Sequence, residues 1–325
     1  MRLRVHARPR IHTGLVDLAG VSDRSFCGVG FSISGPCTSW CIEDAKNIRL
    51  NGISHLDHLA LNDIERVVND LKAMTVKGFS ATLERSPPQH VGLGTKTSLL
   101  LSLIAAINRL KDLSLSDAEI QQMSGRGGAS GIGINLFFCG GVVWDGGHAT
   151  TDNLIFVPSS TASATELPPL IARWSFPDHW TVGLVLPDNP TFFGEKEASF
   201  FKEKTPLPSD QVLLTMSAVY HGVIPAFATA NLSLMKGALE RVHSTGLKRE
   251  ELRAQTEKTI DTFRRFQSLP RIASGLSSLG PLIYCIFDRR DSESREALEN
   301  LARLTGSKFL GVFSGCNSGF EVEAA

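Results

Sequence analysis

Apolar and polar positions in the first half of the chain follow two different periods, which indicates a mixture of strands and helices. Residues 61–75 place apolar side chains at helical spacing, whereas residues 79–84 alternate as a half-buried strand does. Ser116 and Glu119 form a capping box that predicts the start of a further short helix. The other predicted elements here are strands at residues 2–11, 28–34, 137–144 and 153–157, a turn at residues 18–25, and a helix at residues 97–110.

A segment without periodicity divides the chain near its middle. Residues 159–169 read SSTASATELPP, a run of small, polar and proline residues that is typical of a boundary. We therefore expect one domain at residues 1–160 and a second at residues 161–325. Strands are expected in the second at residues 181–186, 282–287 and 308–313, and helices at residues 209–221, 223–243, 248–267 and 291–304. This order of elements predicts the α+β class.

The charge balance excludes two broad kinds of partner. The 325 residues include 33 Lys plus Arg and 33 Asp plus Glu, so the formal net charge is zero. A neutral chain lacks the electrostatic footprint of a general nucleic-acid binder or of a protein held on acidic lipid. We expect no nucleic-acid partner and no membrane partner, while an anionic small molecule needs only a local cluster of donors.

The location predicted from the sequence is the cytoplasm. The basic first ten residues are not followed by an unbroken apolar stretch, so we expect no signal peptide. The uncharged run at residues 222–235 is too short to span a bilayer. Of six cysteines only Cys37 and Cys41 lie close in sequence, which is a poor zinc signal and is compatible with free thiols in a reducing compartment.

The first of three glycine-rich segments predicts a phosphate site. Residues 88–97, PQHVGLGTKT, run directly into the apolar helix. Glycines let a ligand approach the backbone, and the free amides at a helix start favour a phosphate. The spacing matches neither the Walker A loop nor the Rossmann fingerprint. The alternative is a glycine-rich turn before a core helix.

The second and third segments extend this prediction. Residues 125–133, GRGGASGIG, contain five glycines in nine positions, a composition that a purely structural turn rarely needs. Arg126 offers two parallel donors to a phosphate or a carboxylate. Residues 274–281, SGLSSLGP, consist of small residues that allow this loop to close over the first, unless they form a plain turn.

The order of these loops resembles the GHMP kinase superfamily. Its first motif reads P-x-x-x-G-L-G-S-S, and Pro88 to Lys96 follow it with Thr95 and Lys96 in the last two places. The resemblance implies an N-terminal domain like the second domain of ribosomal protein S5 and a ferredoxin-like C-terminal domain. The kinases carry a P-S-G-x-D segment, however, and here Gly133 stands where the Asp is expected. A glycine cannot orient a hydroxyl or accept its proton.

A narrower family fits the sequence better. The chain resembles β-ribofuranosylaminobenzene 5′-phosphate synthase and its C-riboside-forming relatives, which belong to the same superfamily without kinase chemistry. The matching segments, in the order of the family, are ARPRIH, GLVDL, RSFCGVG, the GLGTKT loop, GRGGASGIG, DGGH, FGEKE and LSSLGP. They are spread over nearly the whole chain.

The resemblance implies a decarboxylative phosphoribosyl transfer. Enzymes of this family join 5-phosphoribosyl pyrophosphate to an aromatic carboxylic acid, releasing pyrophosphate and CO2 and forming a carbon–carbon bond at C1 of the ribose. The acid is 4-hydroxybenzoate or 4-aminobenzoate on the route to methanopterin-type cofactors, or a heteroaromatic acid in C-nucleoside pathways. The family also implies Mg2+ as cofactor and a homodimer.

The resemblance further assigns site residues. The candidate catalytic residues are Asp17, Arg126, Asp145, His148 and Glu195, and of these Asp17, Asp145 and Glu195 are candidates to hold Mg2+ or the ribose hydroxyls. The pyrophosphate cradle would comprise His90, Gly92, Leu93, Gly94, Thr95, Lys96, Gly128, Ser130, Gly131 and Ser277. The carboxylate or the 5′-phosphate would meet Arg8, His12 and Arg24. The structural alternatives are a turn role for Asp17, a half-buried polar contact for His12 and a solvated helix start at Glu195 and Glu197.

Two other functions compete with this one. An ATP-dependent small-molecule kinase is the alternative from the same superfamily, and tight ATP binding with phosphate transfer would favour it. A non-catalytic binding or dimerisation module would show decayed loops, whereas the glycine loops here are intact and have charged residues around them.

Overall fold

The computed structural model describes residues 1–74, 78–150, 156, 158, 166–189, 191 and 193–325. The strands are β1 (Arg2–Ala7), β2 (Arg10–Leu15), β3 (Arg24–Ser25), β4 (Gly28–Ser32), β5 (Thr38–Asp44), β6 (Arg49–Asn51), β7 (Phe79–Arg85), β8 (Val142–Asp145), β9 (His148–Ala149), β10 (Leu170–Trp174), β11 (Trp180–Leu186), β12 (Ala273–Leu276), β13 (Ile283–Asp288), β14 (Lys308–Ser314) and β15 (Glu321–Ala324). The helices are α1 (His58–Ala73), α2 (Thr95–Lys111), α3 (Asp117–Ser124), α4 (Ile132–Cys139), α5 (Glu195–Lys204), α6 (Ser209–Ala218), α7 (Ile224–Ala228), α8 (Leu232–Ser244), α9 (Gly246–Arg253), α10 (Glu257–Ser268) and α11 (Ser292–Leu304).

Two sheets and two helices form the N-terminal layers. One sheet has the order β15–β1–β5–β7–β6 and the other the order β10–β8–β4–β2. Helix α2 packs on β1 and β5, and α4 packs on β4 and β8. Helix α2 is apolar nearly all round because it lies inside the core, where Leu99, Leu103 and Ile107 are fully buried. Its N-terminus, which follows the first glycine loop, is therefore held on a rigid support.

The C-terminal sheet has the predicted ferredoxin-like arrangement. Its order is β12–β13–β11–β14, and each neighbouring pair is antiparallel. Helices α5 to α10 connect its first strand in the chain to its second, and α11 connects the third to the fourth. The predicted strands at residues 181–186, 282–287 and 308–313 are confirmed, as are the predicted helix at residues 291–304 and the capping box at Ser116.

Two predicted strands differ from the structure. The strand predicted at residues 2–11 is broken at Pro9, because proline lacks a ladder donor, and β1 and β2 lie in different sheets. The strand predicted at residues 137–144 is wrong in its first part. Residues Ile132–Cys139 are helical, and the strand begins only at Val142, after Gly140 and Gly141 have turned the chain with positive φ.

Two predicted helices are each divided in the structure. The helix predicted at residues 223–243 is interrupted after α7, where Ala230 has φ +51° and the Asn231 side chain caps α8. The helix predicted at residues 248–267 is interrupted where Thr256 caps α10.

The sequence patterns also missed several elements, and part of the predicted boundary is not described. Strands β5, β10 and β15 and helix α5 were not predicted. Strands β10 and β15 pair with β8 and β1, so both return to sheets of the first half. The predicted strand at residues 153–157 lies mainly outside the described residues. The predicted division at residue 160 lies entirely outside them, so the division stays a prediction.

One helical run bears on the expectation of no membrane partner. Within the described part of the chain, Ser209–Ala228 is long and apolar enough to cross a membrane by length and composition, a property that core helices of soluble proteins share. It continues through a π-helical turn at Val219–Val223, which contains the first two residues of the uncharged stretch at residues 222–235. Val212, Val219 and Val223 on this run are buried in the protein core.

All six cysteines are free thiols.

Candidate functional site

The first glycine loop surrounds the N-terminus of α2. Gly92 and Gly94 have φ of +108° and +71°, a region that favours glycine, and Gly94 caps the helix without a side chain. His90 Nε2 lies 2.8 Å from the Asp57 carboxylate, and Lys96 Nζ lies 2.7 Å from the Asp63 carboxylate. These pairs fix the loop to α1 and leave the first amides of α2 to a ligand.

The third glycine loop closes over the first, as predicted. The Ser277 hydroxyl donates to the Gly92 carbonyl at 2.7 Å and accepts from the His12 amide at 3.1 Å. A Cβ on Gly280 would overlap the Val91 carbonyl group, and one on Gly92 would overlap the Ser277 carbonyl. The two loops approach at backbone distance, which only glycine permits at these positions.

This close approach predicts a strong effect of Gly280→Ala. The added methyl group would force the third loop away from the first, so we expect at least about a tenfold loss of kcat/KM, because small misplacements of positioning groups are costly. The measurement is steady-state kinetics together with a melting curve. Gly237→Ala on α8 is the matched control, since a Cβ there meets only the Arg241 side chain at 3.5 Å. Equal kinetics for both variants would contradict the predicted role of the contact.

The loops enclose a cleft with two connected chambers. The outer chamber lies at the first glycine loop, and the inner chamber lies at the second loop. The residues shared by both chambers are Arg10, Thr97, Arg126, Glu197, Ser278 and Leu279.

Two half-buried arginines lie in the wall between the chambers. Arg10 Nη1 donates to the Gly92 carbonyl at 2.8 Å, and Arg126 Nε donates to the Thr97 hydroxyl at 3.3 Å, so both use neutral acceptors. Burial, together with the positive charge of Arg126, lowers the pKa of Arg10 to about 10. Burial also lowers the pKa of Arg126. Because two like charges repel each other in a desolvated site, an anion between them would stabilise both.

A hydrogen-bond network lies beside this wall in the inner chamber. His12 Nε2 is 3.0 Å from the Ser130 hydroxyl, which donates to the Asp145 carboxylate at 3.3 Å. The carboxylate also accepts the Gly147 amide at 2.8 Å. Burial holds the pKa of His12 well below its usual value and raises the pKa of Asp145 to about 7. The inner chamber therefore presents a neutral imidazole and a hydroxyl supported by a buried acid.

The pKa of Asp145 predicts a specific pH dependence of stability. The folded pKa is about 7 against an ordinary value of 3.8, so between these values the folded state holds a proton that the unfolded state has released. The contribution of Asp145 to the free energy of unfolding therefore falls as pH rises through this window. Asp145→Asn removes that titration. In urea unfolding, we expect the free energy of unfolding of the variant minus that of wild type to rise from about pH 5 to about pH 8. A difference that stays the same over this range would contradict the raised pKa of Asp145.

An ion pair supports the floor of the inner chamber. Lys248 Nζ lies 2.6 Å from the Glu251 carboxylate, and both side chains are almost fully buried. The same ammonium donates to the carbonyls of Leu276 and Ser278 at 2.9 and 3.0 Å. Lys248 therefore fixes the third glycine loop to α9, and Glu251 brings a carboxylate to the chamber.

The structure places the sequence-predicted residues in three groups. Those that line the cleft are His12, His90, Gly92, Gly94, Thr95, Lys96, Arg126 and Ser130. Four others lie next to the cleft without lining it. The Leu93 carbonyl accepts the Arg10 amide, and Gly131 caps α4. Ser277 and Asp145 lie behind the lining, where they bond to His12 and Ser130. The lining does not include Arg8, Asp17, Arg24, Gly128, His148 or Glu195.

The contacts of the third group are structural. The Asp17 carboxylate accepts the backbone amides of residues 19–22, which agrees with a turn role. Arg24 donates to the carbonyls of residues 146 and 147, and His148 Nε2 donates to the carbonyl of residue 127. Arg8 pairs with Glu321 in the five-stranded sheet, on the far side of the break at Pro9. Glu195 is the exposed first residue of α5.

The three carboxylates predicted to hold Mg2+ do not form one site. Among the residues that the structure describes, no three His, Cys, Asp or Glu side chains come together as a metal-ligand group. Asp17 uses its oxygens on backbone amides, and Asp145 lies behind Ser130. The carboxylates that do line the cleft are Glu197, which both chambers share, and Glu251, which lines the inner chamber alone. This geometry does not fit a metal held by the predicted set.

Three charged residues of the cleft were missed from the sequence. Arg10 lies two positions before His12 on β2, so both face one side of the strand, a period-two signal that was available. The sequence predicted Arg8 at this site. Because the strand is broken at Pro9, Arg8 lies next to the end of β1 and pairs with Glu321 instead. Glu197 is two positions beyond the predicted Glu195, and nothing in the local pattern indicates Glu251, which reaches the cleft from α9.

Comparisons with known proteins connect this geometry to a family. Residues 60–141 match the family model described as the GHMP kinases N terminal domain. The chain is 31% identical over 322 residues to a beta-ribofuranosylphenol 5′-phosphate synthase of Archaeoglobus fulgidus, covering 99% of each chain. The chain belongs to the beta-ribofuranosylphenol 5′-phosphate synthase family. A synthase of the same name from Methanocaldococcus jannaschii is 29% identical over 293 residues, covering 86% of this chain and 88% of the relative.

Membership of the beta-ribofuranosylphenol 5′-phosphate synthase family makes the chain an enzyme of the glycosyltransferase type within the GHMP superfamily. Solved structures agree on the fold. Homoserine kinase from Cytophaga hutchinsonii superposes with a TM-score of 0.70 at 14% identity, over 99% of this chain and 97% of that one. Phosphomevalonate kinase of Streptococcus pneumoniae gives 0.71 at 12% identity, over 96% and 99%. Such low identities show a shared fold alone.

Proposed function

We propose that the chain couples 5-phosphoribosyl pyrophosphate to an aromatic carboxylic acid with loss of pyrophosphate and CO2, giving a β-C-riboside 5′-phosphate. The observation that carries this proposal is the pair of half-buried arginines, Arg10 and Arg126, in a cleft lined by glycine loops. Such a site favours a substrate with several negative charges. The names of the synthase relatives supply the ribofuranosyl phosphate and the aromatic group.

The chemistry of this reaction suits the residues of the cleft. Departure of pyrophosphate leaves positive charge on C1 of the ribose, and the ring carbon that bears the carboxylate attacks C1. Loss of CO2 from that carbon then returns the bonding electrons to the ring and restores its aromaticity. The enzyme has to position two substrates and stabilise the leaving charge, which amides, arginines and Lys96 do without a covalent intermediate.

The kinase alternative lacks a side chain at the decisive position. Gly133 lines the inner chamber where the kinases of the superfamily carry Asp, and a Cβ there would meet the Thr97 methyl group at 3.2 Å. No group at this position can orient or deprotonate an acceptor hydroxyl. The absence of a side chain at Gly133 therefore disfavours phosphoryl transfer from ATP.

The proposal is tested by mixing purified protein, Mg2+ and 5-phosphoribosyl pyrophosphate with 4-hydroxybenzoate, 4-aminobenzoate and heteroaromatic acids. We expect pyrophosphate and CO2 in equal amounts with at least one acid. A parallel assay with ATP and sugars or polyols tests the kinase alternative. No pyrophosphate with any acid, together with phosphate transfer from ATP, would reverse the choice. Mg2+ dependence and a homodimer remain predictions that chelator titration and analytical ultracentrifugation check.

A further inference from the structure

We infer that the two chambers separate the two substrates, with the aromatic ring of the acid in the inner chamber against Leu15 and Phe201 and the pyrophosphate in the outer chamber. This inference rests on the proposed function. It adds a location for each substrate and names the residues that recognise the ring. The reacting carbons would then meet at the shared wall that contains Arg10 and Arg126.

The outer chamber has the chemistry of a phosphate site. The residues that line it alone are Gln89, His90, Gly92, Gly94, Thr95, Lys96 and Gly280. Each is polar, charged or a glycine, so this chamber has no apolar side chain of its own. The amides at the start of α2 and the Lys96 ammonium provide donors and positive charge, which pyrophosphate requires.

Three apolar side chains line the inner chamber and do not line the outer one. Leu15, Ile134 and Phe201 line the inner chamber alone, and Leu279 lines both. Leu15, Phe201 and Leu279 come from β2, α5 and the third glycine loop and belong to one hydrophobic cluster. These three residues are at least 92% buried, so the wall that they form is closely packed. Only a small part of the surface of each residue is exposed to the chamber. A flat aromatic ring matches a wall of this kind.

Polar groups at two sides of the inner chamber orient the ring. Arg126 lies in the shared wall, where its guanidinium can pair with the carboxylate of the acid. His12 and Ser130, joined at 3.0 Å, line the same chamber and can exchange a hydrogen bond with a hydroxyl or amino group on the ring. The carboxylate carbon would then face the ribose, and the opposite ring substituent would face His12.

The test compares two neighbouring phenylalanines of α5. Phe201 lines the inner chamber, whereas Phe200 is equally buried in the same cluster and does not line either chamber. We expect Phe201→Ala to raise the KM for the acid at least about tenfold and to leave the KM for 5-phosphoribosyl pyrophosphate within about twofold, since burial of a phenyl group contributes a few kcal/mol. Phe200→Ala should leave both KM values unchanged, although it removes similar core packing.

A second pair of measurements separates the inference from the proposed function. Isothermal titration with 4-hydroxybenzoate alone and with inorganic pyrophosphate alone does not require turnover. Phe201→Leu, which keeps an apolar side chain and protects folding, should weaken 4-hydroxybenzoate binding only, and Lys96→Met should weaken pyrophosphate binding only. If wild type shows no turnover with any acid, the proposed function fails. If it turns over but Phe201 variants weaken both ligands equally, or neither, the assignment of chambers is overturned.

Discussion

Replacing Arg126 by Ala is expected to lower kcat/KM by about 100- to 1,000-fold, which is the usual effect of removing one preorganised donor from a reacting centre. Arg126 lies in the wall shared by both chambers and is half-buried there, and its partial desolvation lowers its pKa, so its charge is less screened than a surface charge. The measurement is steady-state kinetics with both substrates varied. An unchanged kcat/KM would remove Arg126 from the site.

Two comparisons make this result specific. Arg126→Lys keeps the positive charge but loses the two parallel donors, so we expect it to recover only part of the lost activity. Thermal unfolding should show little loss of stability for Arg126→Ala, because the change removes a partly desolvated charge that lies close to the like charge of Arg10. A large drop in melting temperature would instead attribute the lost activity to misfolding.

Replacing Lys248 by Met is expected to lower the free energy of unfolding by about 3–5 kcal/mol, the usual cost of removing one partner of a buried ion pair. The change leaves the Glu251 carboxylate without its 2.6 Å partner and deprives the carbonyls of Leu276 and Ser278 of a donor. Urea unfolding measures the effect. A variant as stable as wild type would contradict it.

The double variant Lys248→Met with Glu251→Gln provides the matched comparison. It removes both charges, so we expect it to be more stable than the single Lys248→Met variant. An exposed pair serves as the reference. Arg295 Nε lies 2.9 Å from Glu299, with both side chains largely in solvent, and its removal should change stability by less than about 1 kcal/mol.

The elements predicted correctly from the sequence are those whose local pattern also determines their burial. Strand β7 alternates cleanly, and Ser116 caps α3 through its own side chain, so neither depends on distant residues. Residues 137–139 have the opposite character. Their apolar run suits either a strand or a buried helix, and packing on β4 and β8 decides for the helix.

The glycine loops of the candidate site could be predicted from the sequence, because their backbone conformation requires glycine at particular positions. Gly92, Gly94 and Gly280 occupy positions where a side chain is excluded, so the glycine loops were visible in the sequence. The charged residues were harder to assign. Which of Arg8 and Arg10 reaches the cleft depends on a strand break, and Glu251 enters from a helix more than a hundred residues after the second loop. Such placement follows from tertiary packing, which no local pattern contains.

The measurement that tests the central claim most directly is carbon NMR of the product. The substrates would be 5-phosphoribosyl pyrophosphate labelled with 13C at C1 of the ribose, and an aromatic acid labelled with 13C at the ring carbon that bears the carboxylate. The proposed reaction joins these two atoms, so a one-bond 13C–13C coupling is predicted in the product. A product without that coupling, in which C1 is bonded to oxygen or nitrogen, would contradict the proposed function.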